Sequence, residues 1–182
     1  MFKKNNVLKI YSNNIEWANH NVEHNSPVYS GTFYIYKTSK GMVIVNRVAV
    51  DDYISKVVSS EIGGEAPMEA LKAQAVCART YILKCSNSKY KKYNAIADDS
   101  TSYQVYNRIG ENNKTKKAAK ATNGIVMTYE NELINAYYFS TSCGYTTDYR
   151  IWGKEKKLYL KGTNLTKNKT DIIEETNLKK II

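Results

Sequence analysis

The stretch Val57–Tyr81, VVSSEIGGEAPMEALKAQAVCARTY, decides the fold. Two helical signals flank a break in it. The first begins at Asp52 and carries Tyr53, Ile54, Val57 and Val58 at helical spacing before reaching Glu61. Gly63 and Gly64 interrupt it, and Pro67 fits the first turn of a new helix, where its missing N–H costs nothing. That second helix carries Ala70, Leu71, Ala73, Ala75, Val76 and Ala78. So many alanines predict a helix packed at close range rather than an exposed amphipathic rod. Glu61 is then a carboxylic acid beside a buried helix and just before a glycine bend, a setting in which an acid is shielded from water and available as a proton donor.

Outward from this stretch the pattern turns to strands. Thr32–Lys37 and Gly41–Val50 are rich in β-branched and aromatic residues, with a turn at Thr38–Gly41, and read as a hairpin. Gly124–Tyr129 and Leu133–Ser140, about a turn at Glu130–Glu132, read as a second one. Val7–Tyr11 is a further short strand, Asn112–Thr122 a basic helix, and Asp171–Ile182 a weak one. The fold class is therefore mixed α/β (α+β), with the two β-hairpins forming a sheet packed by a central alanine-rich helix pair. The 182 residues fit a single domain with its own core.

Composition narrows the partners. The net charge of +10 favours an anionic one, and lysine rather than arginine supplies most of it. No arginine-rich arm or nucleic-acid motif accompanies the charge, so a cell-wall polymer or membrane surface fits better than nucleic acid. Sixteen tyrosines against three phenylalanines suit half-buried strands first and sugar binding second. Three cysteines make no disulfide framework: Cys77 and Cys85 lie about 12 Å apart along one helix, too far to bridge. His20 and His24 stand four apart without a third ligand nearby and read as surface residues.

The ordered pieces DDYISKVVSSEI and EALKAQAVCARTY resemble the signature of the stage II sporulation protein D (SpoIID) family, which includes the LytB amidase enhancers. MVIVN precedes them; DS at Asp99–Ser100, QVY at Gln104–Tyr106, TNGIVMTY, NAYYFSTSCGYT, IWG and YLKG follow in order. The likeness runs from about Tyr29 to Gly162. The family's domain continues well beyond YLKG, so the chain is expected to be abbreviated at its C-terminus. Family members act outside the cytoplasm behind an export or membrane segment; here the opening MFKKNN shows no apolar signal-peptide core, and no membrane anchor is visible.

The resemblance implies a lytic transglycosylase with Glu61 as the catalytic acid. Hydrolysing glycosidases use two carboxylates. Here the C6 hydroxyl of N-acetylmuramic acid attacks its own C1, so one residue can protonate the leaving oxygen and then accept the hydroxyl proton. The product ends in a 1,6-anhydro sugar, and intramolecular attack lowers what the protein must supply. Arg79, Gln104, Tyr106, Ser140, Thr141 and Ser142 are the implied substrate-binding residues. Arg79, a charge among alanines, needs an acceptor if buried, and structural pairing with a carboxylate such as Asp99 is its favoured alternative. A plain turn role is the alternative for the serines. Glu65, in a segment where the family differs, and Glu69, on the outside of the second helix, are read as structural. Peptidoglycan glycan strands are the expected partner, with a cell-wall amidase beside them, outside the cytoplasm during engulfment.

Two departures stand out. The family's HSTSGG loop reads FSTSCG here, with Phe139 for histidine and Cys143 for glycine. The zinc ligands that some members carry before QVY correspond to Ala97, Ser102 and Tyr103, so no metal and no cofactor is expected. Glu61 favours the enzyme, while Phe139, Cys143 and the expected short C-terminus favour an alternative of a different class, a non-catalytic glycan-binding module that stimulates an amidase. A basic nucleic-acid-binding domain is permitted by charge but supported by no motif.

Overall fold

The computed structural model describes residues 7–9, 16–17, 20–21, 28–85, 89–107, 110–139, 142, 144–153 and 156–165, with side chains from Tyr29 onward. The chain forms two compact units, Met1–Tyr137 and Tyr138–Ile182. In the first, three helices pack on one another: α1 (Val50–Ile62), α2 (Met68–Lys84) and α3 (Asn113–Ala121). Ile54, Val57 and Val58 form the buried stripe of α1; Leu71, Ala75, Ala78 and Ile82 form that of α2. Ala118 and Ala119 close the core from α3, and small side chains at these contacts let the helix axes approach closely. The other alanines of α2 split by face: Ala70 and Ala73 point to water.

Asp51 and Asp52 occupy the first turn of α1, where a helix dipole favours negative charge. Gly63, at φ +76°, ends it in a conformation that disfavours other residues. Pro67 stands at the N-cap of α2, one residue outside the helix, and its carbonyl accepts the N–H of Leu71. Asn112 caps α3 by accepting from the backbone N–H groups of Lys114 and Thr115, while the Thr115 hydroxyl accepts the N–H of Asn112 in return.

Strands β1 (Val7–Lys9) and β4 (Val28–Ser30) pair antiparallel, as do β2 (Glu16–Trp17) and β3 (His20–Asn21). The hairpin of β5 (Thr32–Thr38) and β6 (Gly41–Arg47) runs in full register from Thr32 opposite Arg47 to Thr38 opposite Gly41. Gly31 admits the chain into it: a Cβ there would lie 2.1 Å from the Arg47 carbonyl oxygen. The second hairpin is only β7 (Thr128–Tyr129) and β8 (Glu132–Leu133), joined by Glu130 and Asn131, both at positive φ as a two-residue turn of this kind requires.

The class is mixed α/β, but the two hairpins stay separate two-stranded sheets. Side chains of α2 explain why the second one is so short. The Met127 N–H donates to the Thr80 hydroxyl, and the Ile125 carbonyl accepts from Arg79. Backbone groups that a longer strand would offer to a sheet are already satisfied by a helix. Of the terminal sequence expectations, β1 stands within Val7–Tyr11, while His24 and the helix at Asp171–Ile182 lie outside the described residues.

In the second unit, residues 144–149 and 160–165 run alongside each other. The Thr146 N–H donates to Thr163, that of Tyr149 to Leu160 and that of Leu165 to Gly144. Asp148 caps the short turn Tyr149–Ile151, and the Arg150 side chain on it brings the Asp148 carboxyl down to about 2. No helix among the described residues is long and apolar enough to cross a membrane.

The segment before α3 is pinned to α1. Ser59 donates to the Gly110 carbonyl at 2.8 Å, and Glu111 accepts from Ser55 and from the buried Lys56. Lys116 reaches the same carboxylate at 3.3 Å. Burial pushes the Glu111 carboxyl up, but the Ser55 hydroxyl and the two lysines outweigh it and hold it below the usual range. A carboxyl lower in the folded than in the unfolded chain stabilises the fold above the unfolded value, and that stability drains away as pH falls through the folded one. Glu111→Gln should therefore lower the thermal midpoint at neutral pH and flatten its decline on acidification. Parallel declines in variant and wild type would refute this role.

Candidate active site

Glu61 lies on the last turn of α1 and is half-buried. Its Oε1 accepts the backbone N–H of Val105 at 2.8 Å. Beside it the surface is open, since a Cβ added at Gly63 would meet nothing within 4 Å. The next residue is the opposite case. A Cβ on Gly64 would lie 2.2 Å from the Asn112 amide nitrogen, which donates to the Gly64 carbonyl and to Glu65. Glycine at 64 thus lets the cap of α3 grip the bend that follows Glu61.

What fixes Val105 is the pair of residues around it. Gln104 is fully buried; its amide donates to the Ala78 carbonyl of α2, and its oxygen accepts the Tyr53 hydroxyl of α1. Tyr106 is buried too, stacked on Tyr53 with ring centres 5.0 Å apart, and its hydroxyl donates to Asn46 of β6. The Tyr29 ring lies tilted against that of Tyr106, with ring centres 5.8 Å apart. The Tyr106 N–H reaches the Asp99 carbonyl, which closes the segment on itself. Burial pushes the Tyr29 and Tyr106 hydroxyls far above their ordinary range, so both stay protonated. Asp99 is also shifted upward, chiefly by burial and further by Asp98.

These contacts revise the expected sugar-binding set. Gln104 and Tyr106 spend their polar atoms inside the protein and act by holding Val105. Arg79 is likewise interior, at 2% exposure. Its partners are Asp51 at 3.1 Å, the Ala119 and Ile125 carbonyls and the Thr122 hydroxyl, not Asp99. A guanidinium amid a helix packing of alanines must find its acceptors there. Ser142 is half-buried in the second unit; Ser140, Thr141 and Cys143 lie outside the described residues. Phe139 is exposed. Glu65 and Glu69 pair with Lys114 and Lys72 on the surface. Among the described residues no three His, Cys, Asp or Glu side chains converge as metal ligands.

Sequence reading missed the Val105 amide and the Asn112 grip on Gly64. The first has no sequence signal, because every residue but proline carries an N–H. For the second, Asn112 three residues before Thr115 marks a cap of α3, but nothing in the sequence ties its amide to Gly64.

A half-buried acid thus stands at a glycine bend, braced by a main-chain donor from a clamped segment. The family model described as "SpoIID: Stage II sporulation protein" matches residues 38–129, just over half of the chain. The chain belongs to this family. It is 34% identical over 142 residues to stage II sporulation protein D of Bacillus subtilis, covering 70% of this chain and 41% of that one. An uncharacterized protein of Brachyspira hyodysenteriae is 36% identical over 121 residues, 66% of this chain and 33% of its own. The amidase enhancer of Bacillus subtilis is 39% identical over 90 residues, 50% of this chain and 12% of its own. The chain thus spans well under half the length of each.

Removing the interior guanidinium should cost stability rather than affinity. Arg79→Ala strands two carbonyls and Asp51, and is expected to destabilise the fold by at least about 2 kcal/mol in chemical denaturation. An unchanged denaturation midpoint together with weakened glycan binding would return Arg79 to the binding set.

Proposed function

We propose that the chain is a peptidoglycan lytic transglycosylase acting outside the cytoplasm, at the cell wall, with Glu61 as its general acid and base. The observation that carries this reading is the bond from the Val105 N–H to Glu61 Oε1. In the acid form the accepting oxygen is the carbonyl one, which leaves the hydroxyl, and the proton, on Oε2. Oε2 donates that proton to the oxygen linking C1 of N-acetylmuramic acid to N-acetylglucosamine. The C1–O bond breaks, and the C6 hydroxyl of the same muramic sugar forms the new bond to C1. Its proton passes to Oε2, which restores the acid. No water is consumed, and no second carboxylate is needed. Positioned proton transfer of this type contributes roughly 10²–10⁴-fold.

The test is Glu61→Gln, which keeps size and the acceptor for Val105 but has no proton to give. Fold and glycan binding should survive, and release of anhydromuropeptides, read by mass spectrometry on peptide-free glycan, should fall at least about 10²-fold. Glu65→Gln and Glu69→Gln should stay within a few-fold of wild type, since their side chains serve surface ion pairs. Equal loss in all three would indicate structural damage.

A second reading is favoured by the 39% identity to an amidase enhancer and by Phe139 and Cys143 in the serine-rich loop. In it the chain holds glycan and stimulates a cell-wall amidase without cutting. A wild type that releases no anhydro ends but raises amidase turnover would establish it. A sporulation setting, with an amidase partner, belongs to either reading.

A further inference from the structure

We propose that the turn Lys89–Tyr93, with Tyr36 of β5 beside it, is a second binding surface, and that it takes a phosphodiester-linked anionic polymer of the cell wall. Ammonium groups and rings alternate there. Lys89 Nζ sits 4.9 Å above the Tyr90 ring and Lys92 Nζ 4.9 Å above that of Tyr93. Tyr93 in turn lies 5.3 Å from Tyr36, ring centre to ring centre. Lys89, Lys91 and Lys92 are exposed, and the rings are half-exposed between them.

The charges here are largely unspent. Among the described residues, Lys91 and Lys92 have no carboxylate within ion-pair distance, and Lys89 shares Asp98 only at 3.8 Å. On α3, Lys114 and Lys116 are engaged by Glu65 and Glu111, while Lys117 and Lys120 are exposed like the lysines of the turn but have no aromatic residue interleaved with them. Neighbouring ammonium groups left to solvent repel one another, and an anionic chain laid across them removes that repulsion. Lysine is a compact point charge that suits a phosphate oxygen. The tyrosine faces offer apolar surface to the carbon skeleton between successive charges. Uncharged glycan would use the rings and leave the lysines idle. Single-stranded nucleic acid also suits rings and charge, so the choice of a wall polymer rests on the proposed action at the cell wall.

The experiment measures binding of the full chain to poly(glycerol phosphate) across a salt series. Replacing Lys91 and Lys92 together (K91Q/K92Q) should weaken binding roughly tenfold and flatten its salt dependence by about one to two units of log–log slope. The equal charge change K117Q/K120Q, on α3, should alter affinity less than about twofold, because lysines outside the contact release few counterions. Equal losses from both pairs would reduce the effect to net charge and overturn the proposal. So would absence of binding at low salt, or tighter binding of single-stranded DNA through Lys91 and Lys92. Glu61→Gln should leave this binding unchanged. Polymer binding by a wild type that cuts no glycan would therefore count against the catalytic reading alone.

Discussion

The fold depends on one guanidinium. Arg79 projects from α2 into the place where the three helices meet, and its two terminal nitrogens reach α1 through Asp51, the end of α3 through Ala119 and Thr122, and the segment after α3 through Ile125. Burying a cation is costly unless it is paired and hydrogen-bonded. Once the charge is inside, each acceptor must stay in place. Alanine at 75, 78, 118 and 119 lets the helices come close enough for one side chain to reach all of them. The apolar core supplies the driving force for packing, and the guanidinium ties the three helices and the segment after α3 to one another.

The acid at the end of α1 draws its geometry from that arrangement at one remove. Because α1 and α2 are locked, the Tyr53 hydroxyl and the Ala78 carbonyl stand where Gln104 can bond both. Gln104 and the stacked Tyr106 then bracket Val105 and aim its N–H at Glu61. On the other side, Asn112 ties the glycine bend to the start of α3. The carboxyl is thus oriented by two loops that the sequence separates from it by about forty residues or more, and each loop is anchored in the helix core.

Much of this was legible in the sequence. The first two helices announced themselves through apolar spacing, the glycine break and Pro67, and the third through its run of lysines and alanines; the β5–β6 hairpin did so through a long run of β-branched and aromatic residues. Local pattern misled where tertiary partners decide. Gly124–Met127 has strand composition, yet its backbone is taken up by Thr80 and Arg79, which no local window contains. Gln104 and Tyr106 were assigned to sugar through the resemblance of QVY, and sequence alone does not show that both are buried with interior partners. Arg79 was rightly expected to need an acceptor, but Asp51 became its carboxylate partner because α1 packs on α2 there.

The partner of Glu61 is main chain, and this has a consequence for divergence. A side-chain donor can be erased by any of many single-codon changes, whereas an amide at position 105 disappears only with proline. Selection on the acid's orientation would then leave the identity of residue 105 nearly free and fall instead on the polar and aromatic neighbours that keep the segment seated. Drift at 105 among related chains would be poor evidence of a lost site, and change at Gln104 or Tyr53 would be the more informative mark.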